Sequence, residues 1–329
     1  MTTDPVEPLR IGVLGAARIA ERAIAVPAQA TGSRLVAVAA RDPARAEDFA
    51  RTHGVERVLA SYADVVADPE VEVVYNPLPN ALHGPWNLAA VAAGKHVLSE
   101  KPFASNAEEA AEVRDAARAA GVTVMEGFHH LYHPVMRRLL DLVDAGELGD
   151  VVHVEATIAM LPPDDGDPRW SLELGGGALM DLGCYPAHWL RTTFRAEPTV
   201  RSAVAVRNPL GADLSMTAEL DFPDGMSATL SASMAEGVTL DSSLEVRGSR
   251  GRLLVENLVF PSAGHRIRLE INGVERESTV AGDTTYDHQL AAVVDALASG
   301  SPLPTEGADS VATMRLIDAV YTAAGFERG

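Results

Sequence analysis

Short apolar runs alternate with helix-like segments from residue 9 to residue 125, and few folds accommodate that alternation. The runs fall at 9–14, 35–39, 71–75, 95–99 and 122–125, and Ala-rich or capped segments separate them. Strands that alternate with helices assemble into a parallel sheet with helices on both faces, a doubly wound α/β domain. Ligands of such sheets sit just beyond the carboxyl ends of the strands. The residues that follow each run are therefore the first place to look for chemistry.

After the first run comes Gly15-Ala16-Ala17-Arg18-Ile19-Ala20, with Gly12 inside the strand. Aligned on Gly15, this is the dinucleotide fingerprint G-x-G-x-x-G with alanine at its second and third glycine positions. Gly15 permits the tight turn, Ala17 still lets backbone N–H groups approach a pyrophosphate, and Ala20 allows close helix–strand contact. Gly12, Gly15, Ala17, Arg18 and Ile19 are the candidate pyrophosphate residues. The second run ends in Ala40-Arg41-Asp42. An acid at this strand end suits the ribose of NAD, whereas arginine suits a 2′-phosphate. Arg41, with Arg45 from the next helix, points to NADP(H), while Asp42 keeps NAD as the alternative; a merely solvated arginine is the bland reading. The third run leads into Pro77-Leu78-Pro79-Asn80-Ala81-Leu82-His83. Its prolines force an extended turn, Asn80 is a candidate cap for the following helix, and Pro77, Leu78, Asn80 and His83 are candidates to wall the nicotinamide half of a dinucleotide.

The fourth run, Lys95-His96-Val97-Leu98-Ser99, ends in Glu100-Lys101-Pro102. A carboxylate and an ammonium at a strand's carboxyl end are poorly placed for packing and well placed for chemistry, and the proline restricts Lys101 to extended backbone. The bland alternative is a surface ion pair. At Phe128-His129-His130-Leu131-Tyr132-His133-Pro134 the composition turns to aromatics and imidazoles, and the expected domain boundary lies here, with 1–127 and 128–329 as the two domains. Three histidines within five residues invite a metal. However, adjacent residues share no helical face and Pro134 breaks the spacing, so no metal is expected. A cleft lining that binds a polar substrate through His130 fits better.

Beyond residue 150 the period becomes two. Leu214, Met216, Ala218, Leu220 and Phe222 interleave with polar residues, as do Met226, Ala228, Leu230, Ala232 and Met234, around Asp224-Gly225. That is a hairpin of an antiparallel sheet with one apolar face for helices and one Ser/Thr-rich face suited to solvent or a subunit interface. Helices are expected near 286–297 and 309–324, the latter able to pack back on the first domain. Two segments carry chemistry. In Pro162-Pro163-Asp164-Asp165-Gly166-Asp167-Pro168-Arg169-Trp170, Arg169 and Trp170 are candidate sugar or polyol contacts, the alternative being a loop anchored by a buried tryptophan. In the run from Gly175-Gly176-Gly177 to Trp189, a helical reading puts Asp181 and Tyr185 on one face with His188 a turn further. Pro186 in a helix interior would cost about 3 kcal/mol uncompensated, and a segment that breaks its own propensity there suggests a working site.

The 329 residues carry 27 basic and 46 acidic groups, a net charge of −19, which argues against nucleic acid or an anionic membrane as partner. The lone Cys184 excludes an intramolecular disulfide framework. With the polar, signal-free stretch 1–10 and no apolar run of about 20 residues, it suggests a cytoplasmic protein.

Glu100-Lys101-Pro102, the Gly12/Gly15/Ala17 turn and Gly175-Gly176-Gly177…Asp181…Tyr185 match, in order and spacing, the Gfo/Idh/MocA oxidoreductases, and the resemblance covers nearly the whole chain. It is similar above all to the branches of NADP-dependent dihydrodiol or xylose dehydrogenases and sugar 3-ketoreductases, which carry tyrosine at the position of Tyr185. The resemblance implies a Rossmann domain, a second α/β domain with an open, mainly antiparallel sheet, a cis proline in the Glu-Lys-Pro stretch, and a homodimer or homotetramer formed through that sheet. It implies hydride transfer between the nicotinamide of NADP(H) and a carbinol or carbonyl of a sugar or polyol. Tyr185 would donate or accept the proton, Lys101 would stabilise its charge or pass the proton itself, Asp181 would orient, and Glu100 would hold the nicotinamide ribose. Two other classes remain: a silent dinucleotide- or sugar-binding regulator, and a hydrolase or epimerase assisted by bound NAD(P).

Overall fold

The computed structural model describes residues 7–326; residues 1–6, part of the stretch read for a targeting signal, and 327–329 lie outside it. The first sheet is wholly parallel and consists of β1 (Arg10–Leu14), β2 (Arg34–Ala39), β3 (Val73–Asn76), β4 (His96–Ser99) and β5 (Val124–Glu126). Their order is β2-β1-β3-β4-β5. Beyond β2, Val58 makes an isolated parallel bridge to Val38, a strand position reduced to one residue. With Val58 counted, this is the doubly wound dinucleotide-binding order, and its topological switch lies between β1 and β3. Each strand is apolar because both faces are covered: Ile11, Val13, Val36, Val38, Val74 and Val97 are wholly buried. The helices start where the sequence supplies caps. Asp42 accepts from Ala44 N at 3.0 Å ahead of Pro43–His53, and Asn106 accepts from Glu109 N at 2.9 Å ahead of Ala107–Ala120. The outer edge of β5 is closed by a Met125–Glu306 bridge and by Glu126 N donating to Thr305 O at 2.9 Å.

The second sheet has eight strands: β6 (Val151–Ala159), β7 (Thr199–Arg207), β8 (Asp213–Asp221), β9 (Ser227–Ser233), β10 (Asp241–Gly248), β11 (Gly251–Glu256), β12 (Arg266–Ile271) and β13 (Val274–Ser278). They run in the order β13-β12-β11-β10-β6-β9-β8-β7. The β8–β9 hairpin is the expected one, with Leu220 opposite Ala228 and Met216 opposite Ala232. All neighbours are antiparallel except β6 and β9, which pair in parallel. Met216, Ala218, Leu220, Leu230 and Val154 face the buried side. The other face is polar, with Thr229 donating to Glu219 at 3.1 Å and Arg247 paired with Glu155 at 3.0 Å. Among the described residues no helix is long and apolar enough to cross a membrane.

The chain packs as two units. One holds the described residues up to Phe128 together with Tyr286–Ser310, and the other holds His129–Thr285 with the described residues from Val311 onward. The sequence expectation drew one boundary at 127/128 and let the last helix return to the first domain. The segment Tyr286–Ser310 groups with the first unit, and the helix Ala308–Ala323 groups from Val311 onward with the second. The reason is polar: Arg191, buried and paired with Glu197 at 2.7 Å, donates to Thr313 Oγ1 at 2.7 Å, and Tyr321 donates to the buried Asp213 at 2.9 Å. Arg207 further covers the Phe326 ring, 4.1 Å from its centroid.

Candidate active site

In the first unit the loops after β1, β3 and β4 meet at the switch point. Gly15 adopts φ +93°, where a side chain would be strained, and its N–H donates to Ala39 O at 2.7 Å. The helical stretch then begins at Arg18 with no side-chain cap, and Ala20 N donates to Ala17 O at 3.0 Å. Leu78 Cδ2 lies 3.2 Å from where a Gly15 Cβ would sit, so the β1 and β3 loops touch. Arg45 is tied to the turn, donating to Ala16 O at 2.7 Å, whereas Arg41 is exposed and makes no hydrogen bond among the described residues. These features fit a dinucleotide: a side-chain-free turn, an uncapped helix start and an open cation at the end of β2. Gly12 also serves packing. A Cβ there would stand 2.7 Å from Val65 and 2.9 Å from Val71, so close packing against this strand requires a glycine at position 12.

The Lys101–Pro102 bond is cis, as the resemblance implies. Glu100 is buried, accepts from the Tyr75 hydroxyl at 2.9 Å and is pushed above the usual carboxylate range by desolvation; Lys101, the Tyr75 bond and Arg22 oppose that shift. Beneath the strand ends, Asn76 Nδ2 donates to Asn87 Oδ1 at 2.9 Å and Asn87 Nδ2 donates to Ser99 Oγ at 3.0 Å, a buried network that fixes the β3 and β4 ends together. His83 sits between Leu78 O at 2.7 Å and Pro102 O at 2.6 Å, and burial lowers its pKa to about 4, so the neutral ring donates its one N–H to one of these two carbonyl oxygens. Asn80 opens the turn Asn80–Leu82 rather than capping the helix His83–Ala92, whose N-cap is Leu82. Pro77 and Leu78 are buried beside it.

In the second unit the glycine run places a second group of candidate residues. At Gly176 a Cβ would overlap Arg169 O, and at Gly177, with φ +123°, it would overlap Asp213 Oδ1. Asp213 Oδ2 accepts from Leu179 N at 2.7 Å and so anchors the start of the next helix. That helix opens with a π turn, Leu179–Gly183, and continues as Cys184–Phe194. Pro186 lies inside this continuous helical stretch, just after the π turn, whose wider register changes which carbonyl faces the proline ring. Along this stretch Tyr185 is buried with its hydroxyl 2.9 Å from His129 Nε2, and His129 Nδ1 is 2.7 Å from Thr285 Oγ1. His130 Nε2 lies 3.2 Å from His188 Nδ1, and burial, reinforced by His188 and His129, holds His130 well below the usual imidazole range. Asp181 pairs with Arg169 at 2.9 Å. Trp170 is 9% exposed and its indole N–H donates to Pro163 O at 3.2 Å, so the ring anchors its own loop instead of offering an open stacking face.

Residues 9–128 match the model of an oxidoreductase family with an NAD-binding Rossmann fold, and residues 136–254 match the GFO/IDH/MocA C-terminal domain. A dTDP-3,4-didehydro-2,6-dideoxy-alpha-D-glucose 3-reductase of Streptomyces violaceoruber is 36% identical over 341 residues, spanning 98% of this chain and 97% of its own. The chain belongs to the Gfo/Idh/MocA oxidoreductase family. An NADP(+)-dependent D-xylose 1-dehydrogenase of Haloferax volcanii is 33% identical, with 96% of this chain and 97% of that protein covered. The crystal structure of a 3-ketoreductase from Actinomadura kijaniata in complex with NADP and TDP-benzene has a TM-score of 0.90 at 29% identity, covering 96% and 98% of the two chains. The chain is thus an oxidoreductase of this family, with its doubly wound domain and mainly antiparallel second sheet.

For this family member the sequence missed His129, Thr285 and Asp213. His129 stood in view within the imidazole cluster, but its partner Thr285 lies 156 residues away, and Asp213 lies 34 residues from the Leu179 N–H it holds. No local pattern marks such pairs. Among the described residues no group of three or more His, Cys, Asp or Glu side chains is arranged to hold a metal.

Proposed function

We propose that this protein is an NADP(H)-dependent oxidoreductase of sugars or sugar-like polyols, with Lys101, Asp181 and Tyr185 as its catalytic set. The observation that carries the reading is Tyr185, a phenol buried at 4% exposure on a helix whose opening is set by Gly177 and Asp213, in a chain whose relatives reduce or oxidise sugars. Support for NADP over NAD comes from Arg41, an exposed guanidinium at the end of β2, and from NADP in the names of a relative and a solved neighbour. The dinucleotide, when bound, supplies or accepts a hydride at its nicotinamide. Gly15, Ala17, Arg18 and Ile19 would hold its pyrophosphate, Arg41 its 2′-phosphate, Pro77, Leu78, Asn80 and His83 its nicotinamide half, and Glu100 its ribose.

The protein's own task is one proton and one charge. Tyr185 gives its proton to the substrate oxygen as the carbonyl is reduced, or takes it back in the reverse direction. The Lys101 ammonium stabilises the negative oxygen at that moment. Asp181, fixed on Arg169, orients, and Arg169, His130 and His188 line the sugar pocket, with Trp170 shaping its loop. Cytoplasmic placement accords with the lone, buried Cys184. We place a homodimer or homotetramer contact on the polar face of the second sheet, where the exposed Val204 and Val206 of β7 add apolar area. The test is Lys101→Met assayed with NADPH and NADH against a panel of free sugars, dihydrodiols and ketosugars. Turnover should fall ~10²–10⁴-fold, the share typical of a group at the proton-transfer step, with NADPH binding retained. Near-normal turnover refutes the assignment.

A further inference from the structure

His129 is wholly buried, and both of its ring nitrogens are engaged within the second unit: Nδ1 with Thr285 Oγ1 at 2.7 Å and Nε2 with the Tyr185 hydroxyl at 2.9 Å. The Phe260 ring stacks on it at 5.8 Å between centroids and 24° between planes, which fixes its orientation. A neutral imidazole donates from one nitrogen and accepts at the other, so the direction of the chain Thr285–His129–Tyr185 turns on a single proton. Thr285 decides it. Its side chain is 1% exposed, and His129 Nδ1 is the one hydrogen-bond partner of its hydroxyl among the described residues. With the proton on Nδ1, the Thr285 hydroxyl proton would be left in the interior without an acceptor, the costly arrangement for a buried donor. With the proton on Nε2, Thr285 donates to Nδ1 and Nε2–H donates to the Tyr185 oxygen, so the Thr285 hydroxyl and both ring nitrogens are satisfied.

We infer that His129 is a positioning residue whose Nε2–H donates to the Tyr185 oxygen and so directs the phenol's own proton away from the ring, toward the reacting substrate oxygen. The inference rests on the reading of Tyr185 as the proton donor and acceptor. In the reductive direction the hydride from NADPH joins the carbonyl carbon and the C=O π pair moves to oxygen. The Tyr185 O–H bond breaks, its proton joins that oxygen, and the electron pair left on the phenolate is held by Nε2–H until water returns a proton. His129 neither gains nor loses a proton in this cycle. The opposite tautomer would make Tyr185 donate to His129 and turn its proton away from substrate.

Long-range ¹H–¹⁵N spectra of the full chain labelled in histidine, without added cofactor, read the tautomer directly, the His129 signals being assigned by their loss in His129→Gln. A protonated Nε2 with a bare Nδ1 is expected; a protonated Nδ1 overturns the inference. In kinetics, His129→Leu should lower kcat ~10–100-fold, below the share of a group that transfers the proton itself, with KM little changed. His129→Gln, whose amide N–H reaches the Nε2 position, should recover most of that loss, and Thr285→Ser should keep the wild-type tautomer. Tyr185→Phe separates the two levels. If that variant still turns over, the assignment of Tyr185 falls, whatever the tautomer. If Tyr185→Phe is inactive while His129→Leu keeps the wild-type kcat, the assignment stands and the inference about His129 falls.

Discussion

Replacing Gly177 by alanine tests how the second unit aims its helix. The residue sits at φ +123°, a region nearly closed to side chains, so any Cβ there carries backbone strain of about 1–3 kcal/mol. The methyl group would also overlap Asp213 Oδ1, which cannot withdraw cheaply because the carboxylate is wholly buried and holds Leu179 N at 2.7 Å and the Tyr321 hydroxyl at 2.9 Å. Each hydrogen bond to a charged acceptor is worth about 1.5–3 kcal/mol, so strain plus two weakened bonds comes to about 4 kcal/mol or more. Gly166→Ala is the control. It too has positive φ, at +81°, but nothing lies within 4 Å of its Cβ position, so strain alone applies, about 1 kcal/mol. At about 2–4 °C per kcal/mol for a unit of this size, thermal unfolding should separate the two variants by ~10 °C. The Gly177 variant should also lose turnover, since its helix carries Asp181 and Tyr185. Equal melting shifts for the two would refute the reasoning.

Arg41→Ser should raise KM for NADPH by ~10–100-fold, the loss of one charge-assisted contact to phosphate, and leave KM for NADH within a factor of ~2; a parallel change for both cofactors would remove Arg41 from 2′-phosphate recognition. His83 bears on acid stability. Its folded pKa of about 4 lies below the ordinary 6.5, so the unfolded chain binds the extra proton and stability drops as pH falls from 6.5 toward 4. The full window is worth up to about 3 kcal/mol, and urea unfolding of His83→Gln should show a correspondingly flatter pH dependence; identical slopes for variant and wild type would contradict it. Gly12→Ala should destabilise by about 1–3 kcal/mol through overpacking against Val65 and Val71, with cofactor affinity in the folded fraction retained; weakened affinity at unchanged stability would return Gly12 to the cofactor loop.

The parallel sheet was legible because burial on both faces leaves an unbroken apolar run, and the β8–β9 hairpin because burial on one face leaves alternation. The caps at Asp42 and Asn106 were not singled out, and Asn80, read as a cap, is not one, because a polar residue near a helix start looks the same whether or not it caps. Pro186 was read as a break inside a helix, and the structure shows what the one-dimensional pattern omits: a π turn precedes it, as another, Glu21–Ala25, precedes Pro27. A wide turn changes which carbonyl faces a proline ring without altering composition. Gly12 was read only as part of a cofactor motif because a glycine needed for close packing and one needed for a ligand are the same letter. The parallel pairing of β6 with β9 and the grouping of 286–310 with the first unit depend on contacts far apart in the chain, as do Thr285 with His129 and Tyr321 with Asp213. Trp170 was read with both meanings open, and its bond to Pro163 O selects the anchor.

The most direct measurement follows the hydride itself. NADPH carrying deuterium at C4 of the nicotinamide, incubated with the protein and a panel of ketosugars, should yield a sugar product one mass unit heavier, with the label on the new carbinol carbon. Tyr185→Phe under the same conditions should give no labelled product. NADPH that binds yet leaves every sugar of the panel unlabelled would contradict hydride transfer to a sugar as the function of this chain.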